Sequence, residues 1–396
     1  MKIFREEPFG GVVYDTSTLR YQLIDEKDMC FADKTITLRK APERQDILSA
    51  PIRVYFEITR KCNLHCRHCF ASSSPSEEIG MSTASIMSLL DEMKRVGVID
   101  VRFTGGEPTV RSDLYEILDH AKRLGLVVSL NTNGVYDNAI DTIDQLAKLD
   151  LDQVTISVDG MEETHNYLRG RGTFGSMLSS VKVMYAKGIL LRFNTVITRR
   201  NVNEVPRIVE LASHYAREIN FFYMRPIGRA LGELDTILNF EEHFSSARNT
   251  LALRSKYPLL NIMHFEQSFT ERSIFPSKNA PPTLSIALPY GSTTLAIAAD
   301  GSFWPHGYTP YQKSPEFKLG GFPQNSIEQI WSQSEKLDAI RRWLRVIVGR
   351  CQQCPEYRRR CAGLNFEVEV ARLVGDISEN PYCINASPIP SPWDFL

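Results

Sequence analysis

Three cysteines, Cys62, Cys66 and Cys69, fall in the run Glu57-Ile-Thr-Arg-Lys-Cys-Asn-Leu-His-Cys-Arg-His-Cys-Phe70 with spacing C-x3-C-x2-C. Three thiolates cannot close a tetrahedral metal site alone. They can hold three irons of a cubane [4Fe–4S] cluster and leave the fourth iron open. An open metal position is a place for a ligand to bind. A zinc ion is the rival occupant, with His65 or His68 as the fourth ligand. A disulfide with a spare thiol would suit a secreted chain, and nothing here marks secretion.

Other residues along the chain have chemical uses of their own. Gly105-Gly106-Glu107-Pro108 offers two residues without Cβ, which permit close approach to a ligand, and a carboxylate for an ammonium group. The same four residues could form a plain turn. Ser157-Val-Asp159 is followed by His165-Asn-Tyr-Leu-Arg169, where the guanidinium could grip a carboxylate with two parallel hydrogen bonds. His165 reads as structural. Near the C-terminus stand Cys351, Cys354, Cys361 and Cys383, enough thiolates for a complete cluster or a zinc site. Of the eight cysteines only Cys30 stands apart. Such grouping suits metal ligation better than a disulfide framework.

The elements that must position these residues alternate from about residue 51. Strands are expected at 53–58, 101–104, 126–130, 154–158, 190–196 and 219–223. Helices are expected at 82–96, 112–124, 138–148, 175–187 and 202–215. The first helix has Ser82 as N-cap and Ile86, Leu89, Leu90, Met93 and Val96 on one face. Six β-then-α units imply a parallel sheet with right-handed crossovers. The fold class is therefore α/β, a partial (β/α)6 TIM-like barrel whose open side admits a large substrate. Chemistry in such barrels sits at the C-terminal ends of the strands. The cysteine loop, Thr104–Pro108, Asn131–Gly134, Ser157–Asp159 and Met224–Gly228 all fall there, on one rim.

Residues 1–50 read as a β-rich lead. Gly11–Tyr14 and Leu19–Leu23 are its strands, and the hairpin they form covers the open end of the barrel. Residues 231–283 connect to a second unit, 284–396. A helix at 240–253, a strand at 259–265 and a linker at Ser277–Pro282 fall in the connection. The second unit opens on a hairpin, Leu295–Trp304, with Asp300-Gly301 as its turn.

The cysteine run, with Phe70 after its third cysteine, the glycine pair before Glu107, and the Ser157–Arg169 stretch together resemble the radical S-adenosylmethionine (radical SAM) superfamily. The resemblance covers about residues 50–385. It implies that the open iron chelates the amino and carboxylate groups of SAM, and that one electron cleaves the sulfonium to a 5′-deoxyadenosyl radical. It implies a cofactor-binding set of Phe70, Gly105, Gly106, Glu107, Pro108, Asn131, Asn133, Ser157, Asp159, Arg169 and Met224. Phe70 could equally be core packing. The C-terminal cysteines resemble the SPASM extension, which adds auxiliary clusters. Leu288, His306 and Asn365 stand where further cysteines are usual, so one auxiliary [4Fe–4S] cluster on Cys351, Cys354, Cys361 and Cys383 is expected, with zinc as its rival. His306 as a ligand is the weaker reading.

The chain has 396 residues and a formal net charge of −1, so no basic field points to nucleic acid. The N-terminus lacks the apolar core of a signal peptide, and no apolar run is long enough to span a bilayer. A cytoplasmic location is expected. So is an external one-electron donor such as flavodoxin or ferredoxin. The resemblance implies a peptide or protein substrate, as in the maturation of ribosomal peptides. The alternatives are a small molecule of tetrapyrrole, quinone or sugar metabolism, and a non-catalytic iron–sulfur redox sensor.

Overall fold

The structure is a computed structural model that describes residues 1–25, 36–38, 44, 46–78, 80–264, 290–356, 366–383 and 391–395. The linker at 277–282 and the positions Cys30, Leu288, Cys361 and Asn365 lie outside the described residues.

The barrel strands follow one another in chain order. They are β5 (Arg53–Glu57), β6 (Asp100–Thr104), β7 (Val127–Thr132), β8 (Gln153–Ser157), β9 (Leu191–Ile197) and β10 (Glu218–Tyr223), all parallel. The sheet continues past both ends of this set. Strand β11 (Asn261–His264) joins β10 in parallel, and β12 (Thr294–Ile297) joins β5 in parallel. Strands β13 (Ser302–Trp304) and β14 (Gly320–Gly321) add antiparallel pairs beyond β12. The hairpin read as the start of a second unit is thus hydrogen-bonded to the barrel. Among the described residues β11 and β12 do not pair, and the sheet is open between them.

Alternation along these strands sorts the side chains. Val54, Phe56, Val101, Phe103, Val128, Leu130, Ile156 and Phe193 join the helices in the apolar core. Their neighbours face the barrel interior. Helix α1 (Thr83–Val96) begins as expected, with Ser82 Oγ accepting the Ser85 N–H. It ends on Gly97 at φ 96°, a left-handed position glycine adopts without strain. Helix α2 spans Leu114–Arg123, α3 Ala139–Lys148, α4 Glu162–Arg169, α5 Thr173–Ala186, α6 Val205–Tyr215 and α7 Phe240–Ala252. The expected helices all form; α4 was not expected. After the barrel come α8 (Ile327–Gln333), α9 (Glu335–Gln352) and α10 (Phe366–Leu373). Tyr290, Trp304, Phe317, Trp343 and Val370 build a second core under the hairpin.

The N-terminal lead is more than a hairpin. Strands β1 (Lys2–Glu7), β2 (Gly10–Asp15) and β3 (Arg20–Asp25) run antiparallel, and β4 (Ile36–Leu38) pairs with β1 in parallel. This sheet closes the end of the barrel where the strands begin, not the rim. The Tyr14 hydroxyl donates to Asp100 Oδ2 at 2.6 Å, at the first residue of β6. Arg5, fully buried, donates to the carbonyls of Ala50, Pro51 and Gly97 and pairs with Glu7 at 2.8 Å. Replacing Tyr14 with phenylalanine removes a hydrogen bond to a buried carboxylate. Urea unfolding should show a loss of about 1.5–3 kcal/mol.

Candidate functional site: the cysteine loop and the barrel rim

The cysteine loop leaves β5 and is fastened to four other rim segments. Gly106 N–H donates to Thr59 O at 2.8 Å and Glu107 N–H to Lys61 O at 2.9 Å, which tie it to the end of β6. Asn133 Nδ2 donates to Asn63 Oδ1 at 2.8 Å, and Asn63 Nδ2 to Val135 O at 2.7 Å, which tie it to β7. His68 Nε2 meets Asp159 Oδ2 at 2.9 Å beyond β8. Past β10, Arg229 donates from Nε to Cys66 O at 2.7 Å, from Nη2 to Ser73 O at 2.9 Å and from its backbone N–H to Cys69 O at 3.0 Å. Gly228, at φ 60°, lets this clamp close, since a Cβ there would sit 2.2 Å from Phe70 O.

Cys62 and Cys66 are buried and Cys69 is half-buried. Burial pushes the Cys62 thiol up to about 12 and raises Cys66 as well, although Arg169 and Arg229 pull Cys66 back. Neutral thiols in such a place become thiolates when metal cations displace their protons. The Leu64 N–H points at Cys62 Sγ from 3.4 Å, a donor suited to a charged sulfur. The donor set thus fits an iron–sulfur cubane. Zinc fits less well. His65 is exposed, and His68 has its Nε2 on Asp159.

Asp159 organises the β8 side. It is fully buried, and Oδ2 accepts from Arg169 Nε at 2.6 Å as well as meeting His68. Oδ1 accepts the Val196 N–H at 2.8 Å. Burial alone would raise its carboxyl, but Arg169 and His68 outweigh burial and hold it well below the usual carboxylate range. Helix α4 carries Arg169 to this point, and its Leu168 carbonyl accepts the Arg67 N–H at 2.8 Å. Arg169 keeps its Nη groups beyond the Asp159 contact, and its charge is felt at Cys66 and Cys69. His165 is buried and pushed down to about 3, chiefly by burial, so it stays neutral, and its Nδ1 accepts the Asp159 N–H at 3.3 Å. That is the structural role expected of it.

The glycine pair lets the end of β6 pass close to the cysteine loop. A Cβ on Gly105 would sit 2.5 Å from Thr59 O, and one on Gly106 2.3 Å from Lys61 O. The close approach is between the β6 rim and the cysteine loop itself. Glu107 is buried and accepts four hydrogen bonds from the protein. Oε1 takes Thr109 N–H, Thr109 Oγ1 and Thr132 Oγ1, and Oε2 takes Asn133 N–H at 2.7 Å. Oε2 keeps a lone pair for a further donor. Pro108 opens the short turn that follows. A Gly106→Ala chain should push the loop off the rim, since the atoms in its way are backbone. Expected are a loss of about 1–3 kcal/mol in urea unfolding and a fall in iron bound per chain.

The remaining candidates spread around the rim. Phe70 packs edge-on against Tyr308 at 4.6 Å and Tyr311 at 5.4 Å. The Tyr311 hydroxyl donates to the buried carboxylate of Glu57. Asn131 lies on β7, and its Oδ1 is buried without a partner among the described residues. Ser157 ends β8 beside Asn194. Met224 is buried, and its carbonyl accepts the Tyr382 hydroxyl at 2.7 Å. Tyr382 precedes Cys383, so the C-terminal cysteine segment reaches the rim. Cys354 N–H donates to Cys351 O at 2.9 Å in a tight turn. His306 sits among the rings of Tyr290, Tyr308 and Tyr55, a packing position. Sequence reasoning missed Arg229, whose only signal was its place directly after the Gly228 turn.

Residues 56–212 match the radical SAM superfamily. The chain is 36% identical over 184 residues to the mycofactocin maturase MftC of Mycobacterium tuberculosis H37Rv, which covers 46% of this chain and 47% of the maturase. The chain thus spans about half the length of that curated relative. It is 27% identical over 349 residues to the AdoMet-dependent heme synthase of Methanosarcina barkeri, covering 85% of this chain and 97% of the synthase. Among solved structures, Streptococcus suis SuiB bound to its precursor peptide SuiA superposes with a TM-score of 0.72 at 15% identity, covering 93% of this chain and 97% of SuiB. That likeness concerns the fold. Among the described residues no helix is long and apolar enough to cross a membrane. The three-cysteine loop lashed to the rim of a partial barrel lies inside the segment, residues 56–212, that matches the radical SAM superfamily.

Proposed function

We propose that the chain is an enzyme that cleaves SAM reductively at a cluster held by Cys62, Cys66 and Cys69 and uses the product to remove a hydrogen atom from its substrate. The observation that carries this reading is the fastening of the cysteine loop to the ends of β6, β7, β8 and β10 at once. A loop meant only to hold a metal would not need four rim segments to hold it. When bound, the cluster and SAM supply the one-electron chemistry. The chain supplies position. Asp159 aims Arg169, whose Nη groups make no hydrogen bond among the described residues and suit the carboxylate of SAM. Glu107 fixes Thr132 and Asn133 beside the loop, with Oε2 left for an ammonium. Phe70, Tyr308 and Tyr311 wall the site with rings and keep water out.

We further place one closed [4Fe–4S] cluster on Cys351, Cys354, Cys361 and Cys383. Anaerobic reconstitution should then give about eight irons per chain, and about four would remove the second cluster. An external one-electron donor such as flavodoxin or ferredoxin fits a buried cluster with no donor of its own. The segments 1–50, 51–230, 231–283 and 284–396 stand as our division of the chain.

The substrate we favour is a peptide. The similarity to the maturase and the gap between β11 and β12 support it. The N-terminal sheet does not, because it closes the opposite end. A tetrapyrrole is the second reading, favoured by the match over nearly the whole length of the heme synthase. The test is release of 5′-deoxyadenosine from SAM after reduction. Release separates an enzyme from a redox sensor. Stimulation by coproporphyrin III or by a precursor peptide encoded next to this chain separates the two substrates.

A further inference from the structure

The inward face of the barrel is polar far below the rim. Register puts Arg102 and Gln153 on one row of side chains. Asn131 and Arg192 lie on the next row toward the rim, and Asn194 beside Asn220 on the row above that. Arg102 and Arg192 are only 7% and 4% exposed. Arg102 Nε, Arg192 Nε, Gln153 Oε1 and the Oδ1 atoms of the three asparagines have no hydrogen-bond partner among the described residues. Buried polar groups are ordinarily satisfied, so a cluster of unmet ones facing a common space marks a place for another molecule.

Charge says which kind. Arg53 pairs with Asp100 at 2.6 Å, Arg102 lies 3.7 Å from the same carboxylate, and Arg192 is 3.8 Å from Glu218. Three guanidiniums share two carboxylates. Glu57, higher on β5, is already engaged by Tyr311 and the Ala299 N–H. Burial, and after it the charge of Arg102, push the Arg192 guanidinium down to about 9. Among the described residues, Asp100 and Glu218 are the carboxylates within 4 Å of these three guanidiniums.

We propose that this floor binds a carboxylate of the substrate between Arg102 and Arg192, while N–H or O–H groups of the same substrate meet the amide oxygens above. The guanidinium fork matches a carboxylate with two bonds. The row of Arg102 lies two residues, about 7 Å, below Thr104 at the rim. An anchored substrate would therefore extend up toward the cysteine loop. This rests on the barrel being the substrate chamber of the proposed reaction, and it narrows the substrate to an acid.

The test reads binding without reductant, so its failure differs from a failure to release 5′-deoxyadenosine. Reconstituted holoenzyme is titrated calorimetrically with 4-bromobenzoate and with 4-bromobenzamide, its neutral counterpart. The acid should bind at least ten times more tightly. Bromine anomalous scattering should place it between Arg102 and Arg192. Arg192→Gln should weaken the acid by about ten- to a hundredfold, and Arg192→Lys by less. Arg102→Gln serves as the second variant, with thermal unfolding and iron content showing that each has folded. The comparison of acid and amide needs no variant. Displacement by coproporphyrin III points to a small-molecule acid. Displacement by a short peptide with a free C-terminus, but not by its amide, points to a peptide end. Equal binding of acid and amide, full affinity in Arg192→Gln, or displacement by neither competitor would overturn the proposal, the last leaving a site for adventitious anions only.

Discussion

A Cys66→Ser chain, reconstituted anaerobically, is expected to release no measurable 5′-deoxyadenosine, a fall of at least about a thousandfold. It should also carry about four fewer irons than the parent. Soft thiolates select iron–sulfur clusters, and a hard hydroxyl is a poor replacement. The Cys66 carbonyl also takes the Arg229 Nε, and its sulfur feels both Arg169 and Arg229. The fold should survive, because serine nearly matches cysteine in size and the backbone bonds remain. Iron counting and chromatography of the products check both halves. Cys351→Ser is the companion. It should lose the irons of the C-terminal set and keep those of the Cys62–Cys69 loop. If Cys66→Ser still releases 5′-deoxyadenosine within tenfold of the parent, the three-cysteine site is not where SAM is cleaved.

The second large effect is at Asp159. Changing it to asparagine leaves Arg169, 12% exposed, without its carboxylate and leaves His68 without its anchor. Removing one partner of a buried pair costs roughly 3–5 kcal/mol, because the other charge stays buried and uncompensated. Urea unfolding should show a loss of that size. Affinity for SAM should weaken about tenfold as Arg169 loses its aim. The pH dependence has a definite sign. The Asp159 carboxyl is held well below its ordinary range, so its stabilisation is present above the unfolded value near pH 4 and is lost only as pH falls through the lower folded value. The Asp159 contribution should therefore be the same at pH 5 and pH 8. If it disappears between those two values, the carboxylate is not a buried, paired anion.

The core of the barrel was legible because its signals are local. Cys62, Cys66 and Cys69 share one loop, and the strand-to-helix alternation places that loop on the rim. Helix α1 could be read in detail because Ser82 and its five buried positions lie within one short segment. What escaped depends on contacts between distant parts of the chain. Helix α4 is short, and its eight residues hold few apolar positions to show a period. The close approach of Gly105 and Gly106 to the backbone at Thr59 and Lys61 joins segments more than forty residues apart, which no local pattern shows. No pattern along a single strand could show that β11 and β12 would extend the sheet on either side. The auxiliary set of Cys351, Cys354, Cys361 and Cys383 rests on sequence spacing, because Cys361 lies outside the described residues.

The placement of the first three strands has a practical result. They read as an appendage, but they are the foundation slab of the barrel. Arg5 braces the carbonyls of Ala50, Pro51 and Gly97, and Tyr14 seals Asp100 from below. A chain trimmed to start near residue 51 would let solvent into the charged row at Arg53 and Asp100 and strip cover from the apolar residues beneath α1. Shortening this protein from its front end would undermine the barrel itself.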